Sequence, residues 1–248
     1  MHSQAVFFIL GSVRSGTTLL RDILKSHPNL ICPEETHMFR WPEPFNSNDY
    51  THVNKVADTL ILHRKMDGVE ESQFIEILEN STDRKDFMLN YLELFRKAQG
   101  NTNSRCFDKT PQNVYGLPLI KAYFPDAKII HIVRNPLNVI SSLKQGRGLL
   151  PQTLTAAINF WKESILIINT LKPLLKDNLH EFKYEDLTRN PSREITQLLD
   201  FLNEDQVDMS SVIESIIPAK NSYLDVLDEA EINIVRDELH DLMNIYGY

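Results

Sequence analysis

The sequence predicts an α/β fold, a three-layer, doubly wound and mainly parallel sheet. Three observations predict it. Continuous apolar runs at Ala5–Leu10 and Ala127–Val133 have the look of strands buried on both faces. Segments with helical spacing alternate with the strand-like ones, as a parallel sheet with helical crossovers requires. Each strong run also ends on a residue suited to an anion, Gly11 or Arg134. On such sheets ligands sit beyond the carboxyl ends of the strands.

Taken in order, Ala5–Leu10 meets Gly11, and Thr17–Ser26 follows as a helix with Leu19, Leu20, Ile23 and Leu24 on one stripe. His27-Pro28 ends it. Leu30–Cys32 is a short second strand, with a turn at Pro33–Thr36 at its carboxyl end. Residues from Pro42 to Asn54 are broken by proline and asparagine and predict a loop. Val53–Arg64, Glu70–Leu78 and Asp83–Lys97 predict surface helices. Together residues 42–100 have the character of a lid-like insertion. Arg105–Lys109 is a third strand and Asn113–Tyr123 a helix. After the strand to Val133 come helices at Asn138–Lys144 and Leu154–Leu174. Glu181–Tyr184 is a last strand, and helices follow at Ser192–Leu202 and Asp228–Tyr246. No repeat, low-complexity tract or linker divides the chain, so one domain over 1–248 is expected.

Composition narrows the function. The 248 residues carry a formal net charge of −8 and 42% hydrophobic residues. An acidic surface argues against nucleic acid and anionic membrane as partners, because both need a basic field. No apolar stretch approaches the ~20 residues that cross a bilayer. With two cysteines there is no disulfide framework, and a cytoplasmic protein is expected. Oligomeric state is not legible.

The segment Gly11-Ser-Val-Arg-Ser-Gly-Thr-Thr18 lies between the first strand and helix. It has the G-x-x-x-x-G skeleton of a phosphate loop, but Thr17 stands where a nucleotide triphosphatase needs Lys. Glycines let successive backbone N–H groups and the helix N-terminus converge on one anion. Gly11, Ser15, Gly16, Thr17 and Thr18 are therefore candidate binding residues, with Arg14 supplying the cation. The alternative is a tight turn with no ligand. The strand from Ile129 ends in Arg134, where a triphosphatase would place Asp for Mg²⁺. Arg134 and Ser142 suit one phosphate, the guanidinium offering a planar fork and the hydroxyl one donor more. A surface arginine and helix serines at 141 and 142 are the bland alternative. His131, inside the strand, is read as a satisfied core histidine.

With both motifs in hand, the chain resembles the sulfotransferase family that uses 3′-phosphoadenosine-5′-phosphosulfate (PAPS). Gly11–Thr18 resembles the family loop for the 5′-phosphosulfate, and Arg134 with Ser142 its 3′-phosphate motif. Phe124–Lys128, Lys183–Leu187 and Pro191 add to the likeness, which runs from Val6 to about Leu202. It implies a P-loop NTPase-like sulfotransferase fold, PAPS as donor, the desulfated nucleotide PAP as product, and no metal. Cys32–Thr36 is similar to a segment of tyrosylprotein sulfotransferases, which implies Glu35 as general base. The family's lysine implies Lys109. Pro33 departs from that segment. Cys106 matches, within one residue, the partner of the Cys32 counterpart, so the two thiols are expected near each other. Family tails imply Lys220 and Ser222 as phosphate contacts, against a plain solvated linker. His37 is the rival base, since an imidazole titrates near ~6.5. The acceptor is expected to be a small molecule with a hydroxyl, or an amine, contacting the lid and the loop Gln145–Gly148. Peptide tyrosine or glycan sulfation is the alternative. A small-molecule kinase with a degenerate loop and a noncatalytic nucleotide-binding protein are the competing classes.

Overall fold

The computed structural model describes residues 6–146 and 150–248. Ala5 of the first run, and Arg147 and Gly148 of the expected acceptor loop, lie outside the described residues. The architecture is α/β, built on a five-stranded parallel sheet in the order β2-β3-β1-β4-β5. These strands are β1 (Phe7–Leu10), β2 (Leu30–Ile31), β3 (Arg105–Lys109), β4 (Ile129–Val133) and β5 (Leu179–Lys183). Every residue of β1, β3 and β4 is buried, as a parallel sheet covered on both faces demands.

The chain divides into two compact units. The first holds the chain to Leu10 together with Arg21–Ile130. In it, β1 and β3 run in register with Phe8 opposite Asp108 and Ile9 opposite Lys109. The Phe7 and Phe107 rings stack at 4.8 Å between centroids. The insertion is helical: α2 (Asn48–Val56), α3 (Asp58–Asp67), α4 (Glu71–Asn80) and α5 (Arg84–Ala98), with α1 (Thr17–Lys25) before it. The expected loop at 42–54 therefore ends early, at the Ser47 N-cap, whose side chain accepts from the Tyr50 N–H. The helix expected over Val53–Arg64 is two helices parted at Ala57, which is extended. Their apolar residues share one period across the break, so spacing alone did not reveal it. Asn113–Tyr123 opens as a 3₁₀ turn, Pro111–Gly116, before α6 (Leu117–Tyr123).

Cys32 and Cys106 are both free and buried. Ile31 is opposite Cys106 in the β2–β3 ladder, so Cys32 falls one residue out of step. Alternation along a strand then directs the two side chains to opposite faces. Their surroundings agree, since Asp108, Lys109 and Arg21 act on the Cys32 thiol and Arg96 and Glu93 on Cys106. The two cysteines thus lie on adjacent chain segments, with their thiols turned to opposite faces.

The second unit holds Gly11–Leu20 and His131–Tyr248. It contains α7 (Pro136–Lys144), α8 (Leu154–Leu175), α9 (Tyr184–Arg189), α10 (Pro191–Leu202), α11 (Ser210–Glu214) and α12 (Glu229–Tyr246). Asn135 caps α7 and Pro136 takes the first helical position, which starts this helix two residues before Asn138. Tyr184, expected to end the last strand, instead opens α9. The core packs Val13, Val133, Leu137, Ile140 and Leu143 against Trp161, Ile165 and Leu239. Among the described residues no helix is long and apolar enough to cross a membrane.

Candidate active site

Two constellations stand out, one in each unit. In the second unit the loop after β1 curls tightly, with the Ser15 N–H donating to the Ser12 carbonyl at 3.2 Å. The Leu20 N–H donates to the Gly16 carbonyl at 3.1 Å and so closes the first turn of α1. Gly16 has φ +96°, and a β-carbon there would lie 2.3 Å from the Tyr184 ring. Neither conformation nor space admits another residue. Arg14 takes a left-handed φ of 71°, which is costly for a non-glycine residue and recurs at functional loops.

That turn directs the Arg14 side chain to α7, where its Nε donates to Ser142 Oγ at 3.0 Å. Arg134 Nη1 donates to the Arg14 carbonyl at 3.1 Å, and its guanidinium lies 4.4 Å from the centre of the Tyr184 ring. The backbone around Arg134 is fixed from both sides. Trp161 Nε1 donates to the Arg134 carbonyl at 3.0 Å, and the Asn135 N–H donates to Glu185 Oε1 at 3.0 Å. Arg14, Arg134 and Ser142, picked from distant parts of the sequence, thus form one cluster. Within it Ser15 Oγ and Arg134 Nε are buried and lack a hydrogen-bond partner. Buried donors are seldom left so, and here both border a glycine loop and a guanidinium pair. An anion with several oxygens fits this donor set.

Thr17 is buried and Thr18 exposed at the start of α1. Ser141, whose hydroxyl donates back to the Asn138 carbonyl, is taken up within α7, which leaves Ser142 for Arg14. Lys220 is exposed, and Ser222 Oγ donates to Asn138 Oδ1 at 3.5 Å, one turn before Ser142 on α7. His131 is buried, with Nδ1 2.7 Å from Glu181 Oε2 but Nε2 without a partner. It is therefore only half satisfied. Glu181 also accepts from Lys172 at 2.7 Å, and against the effect of burial the contacts with His131 and Lys172 hold its carboxyl down at about 2.

In the first unit Glu35 follows β2 and points its carboxylate at the end of β3. Lys109 Nζ donates to Glu35 Oε1 at 2.5 Å, and His37 Nε2 lies 3.5 Å from Oε2. The Lys109 side chain is 2% exposed and that of Glu35 25%. Glu34 is turned to Arg21, at 2.7 Å, and has no part in this cluster. Asp108 explains the placement. Fully buried, it accepts from Thr36 Oγ1 and Thr110 Oγ1 at 2.9 Å and from Asn113 Nδ2 at 2.8 Å. The Thr36 N–H donates to Thr110 Oγ1 at 2.9 Å, so the residue after Glu35 is tied twice to the β3 end. Burial pushes Asp108 up to about 6 despite these donors. Burial, with Arg40, His63 and Lys109 nearby, pushes His37 down to about 3.

The residues that sequence reasoning missed are Tyr184, Trp161 and Asp108. Tyr184 had a signal: it follows a strand directly, beside acidic residues that start a helix. Trp161 and Asp108 act only through buried contacts and left none.

A profile of the sulfotransferase family matches residues 6–208, and the chain belongs to that family. An uncharacterized protein of Aquifex aeolicus is 29% identical over 208 residues, covering 80% of this chain and 25% of that protein. Protein-tyrosine sulfotransferase A of Caenorhabditis elegans is 23% identical over 208 residues, 81% of this chain and 51% of that protein. The chain thus spans about half or less of these relatives. In fold it is similar to the sulfotransferase domain of the Synechococcus PCC 7002 olefin synthase, with a TM-score of 0.65 and 24% identity over 98% of this chain and 94% of that one. A mouse sulfotransferase, SULT7A1, complexed with PAP, gives 0.55 and 15% identity over 95% of this chain and 83% of that one.

Proposed function

For this member of the sulfotransferase family we propose that the chain is a transferase that uses PAPS and acts on a hydroxyl of a small acceptor. The observation that carries the reading is the pair of buried, unpartnered donors, Ser15 Oγ and Arg134 Nε, within the Arg14–Ser142–Arg134 cluster. The backbone from Ser15 to Thr18 and the Arg14 guanidinium would hold the 5′ end of the nucleotide. Arg134 and Ser142 would hold its 3′-phosphate. The PAP complex of the mouse fold neighbour supports this choice of nucleotide. When bound, the donor supplies a sulfuryl group on a phosphate leaving group.

The chain's own residues then have little covalent work to do. Positioning and charge stabilisation supply most of the acceleration. Glu35 takes the proton of the acceptor hydroxyl, a role worth typically ~10²–10⁴-fold. His37 is the weaker base, because at about 3 its imidazole holds a proton poorly and it is 5% exposed. Lys109, which donates to the Glu35 carboxylate, is assigned the charge that develops on the leaving side. An alkylammonium acceptor would need to lose a proton before attack, which makes a hydroxyl the better match to a single carboxylate. A tyrosine phenol is the second reading, favoured by the match to the worm protein-tyrosine sulfotransferase.

Calorimetry with adenosine 3′,5′-bisphosphate and with Mg·ATP tests the donor assignment. The bisphosphate is expected to bind and ATP to bind at least ~100-fold more weakly, a difference of about 2.7 kcal/mol. The reverse order would hand the chain to the kinase reading. Labelled PAPS across alcohols, phenols, amines and tyrosine peptides then sorts the acceptors.

A further inference from the structure

The insertion helix α3 carries His63 and Asp67 one turn apart, so both face the same way. Both grip the backbone that carries Glu35. Asp67 Oδ1 accepts from the Glu34 N–H at 2.8 Å, and His63 Nδ1 lies 2.9 Å from the Glu35 carbonyl oxygen. A carbonyl only accepts, so Nδ1 of His63 carries the proton. The peptide linking Glu34 and Glu35 is thus held at the N–H before it and the C=O after it, by one face of one helix.

The clamp is itself braced. Tyr91 Oη donates to Asp67 Oδ2 at 2.5 Å, and Gln99 Nε2 donates to the Asp67 carbonyl at 2.9 Å, both from α5 or its end. Arg64, between the two clamp residues, is fixed by two hydrogen bonds to Glu71, at 2.8 and 2.6 Å. The His63 ring stacks on that of His37, at 6.0 Å and 12°. His37 has a left-handed φ of 54°, and its Nδ1 is buried without a partner. Its proton belongs on Nε2, where it faces the Glu35 carboxylate. On Nδ1 it would leave a buried donor unmade and set a lone pair against a carboxylate oxygen.

We propose that His63 and Asp67 are positioning residues that clamp the Glu34–Glu35 backbone and, with the stacked His37, set the direction of the Glu35 carboxylate. The inference rests on the reading of Glu35 as the base and makes the insertion part of the catalytic apparatus. It accounts for the left-handed His37, because only a kinked chain brings residue 35 to Lys109 and residue 37 back beneath His63.

Histidine-selective ¹⁵N spectra of the full chain test it. The expected result is His63 protonated on Nδ1 and His37 on Nε2. In His63→Phe, which keeps the ring stack and loses the donor, the His37 Nε2 resonance moves; in His63→Asn, whose amide restores a donor but not the stacked ring, it returns in part. With PAPS and 4-nitrophenol as the probe acceptor, kcat falls about tenfold in His63→Phe and recovers in His63→Asn, with KM for PAPS unchanged, as a misplaced carboxylate predicts. His63 protonated only on Nε2, or a His37 resonance indifferent to His63→Phe, would overturn the clamp. Should His63→Phe fail to fold, the wild-type tautomers still decide. Undiminished turnover in Glu35→Gln would instead remove the base reading and leave the ¹⁵N result standing, so the two failures are distinct.

Discussion

Around the loop Gly11–Thr18 two buried donors are short of partners, whereas around Glu35 the carboxylates are matched. Ser15 Oγ and Arg134 Nε have no acceptor, while Glu35 has Lys109 and Asp108 has three donors. The two anchoring carboxylates differ in the same sense. Glu181, beside the loop unit's His131 and Lys172, is held down at about 2 by its contacts with both. Asp108, bonded only to hydroxyls and an amide, is pushed up to about 6 by burial. The first region leaves two buried donors open, as an anion site would, and the second keeps its charges paired among themselves. Unsatisfied donors cost stability and mark where a ligand repays it.

The largest break in that comparison comes from Glu35→Gln. Turnover should fall ~10²–10⁴-fold, while affinity for adenosine 3′,5′-bisphosphate stays within about twofold, as the proposed role of Glu35, base and not nucleotide ligand, requires. Calorimetry and a labelled-donor assay on one preparation check both halves. Gly16→Ala should do the opposite. A β-carbon 2.3 Å from the Tyr184 ring, at φ +96°, forces the loop open. Strain of about 1–3 kcal/mol corresponds to roughly 5- to 150-fold weaker nucleotide binding. Wild-type affinity in this variant would mean that the loop is not the nucleotide site.

Arg134→Ala comes next. Loss of a charge-assisted contact worth about 1.5–3 kcal/mol should weaken the bisphosphate roughly 10- to 150-fold and spare adenosine 5′-phosphate, which lacks the 3′ group. Equal losses for both nucleotides would move the 3′-phosphate elsewhere.

The smallest effects sharpen the contrast between the two carboxylates through pH. Glu181 is depressed in the folded state, so its contribution is complete above about 4.5 and is lost as pH falls towards 2. Asp108 is raised, so its ionisation costs stability as pH rises from about 4 to 6. Denaturant titrations should therefore show the stability lead of wild type over Glu181→Gln shrinking on acidification below 4.5. Wild type relative to Asp108→Asn should gain on acidification from pH 6 to 4. Each change is roughly 1–3 kcal/mol, and two changes of the same sign would contradict the contrast.

Much of the cluster around Gly11–Thr18 and Arg134 was legible in the sequence. A glycine skeleton lacking its lysine, and a strand ending in arginine with a serine eight residues on, are local patterns with local causes. Backbone curl, helix onset and strand ends depend on neighbours in sequence. The Arg14–Ser142 bond joins two such patterns but was not itself readable. The half that holds Glu35 was legible only through its resemblance to relatives, because a carboxylate after a strand end says nothing about its partners. Residues 42–100 were the least informative stretch, with helix ends at Ala57 and Ser47 decided by caps and burial rather than by period.

The sequence by itself determined the strand tips, the glycine turn after β1, the arginine at the end of β4 and the alternating order that makes a parallel sheet. These follow from chain stereochemistry and apolar spacing, which act over a few residues. Tertiary structure alone decided that Asp108 is the anchor behind Thr36, that Tyr184 faces Gly16, and that α3 grips the backbone at Glu35. Those depend on which buried groups meet across gaps of 28 to 168 residues, and no local rule fixes the partner a buried group will find.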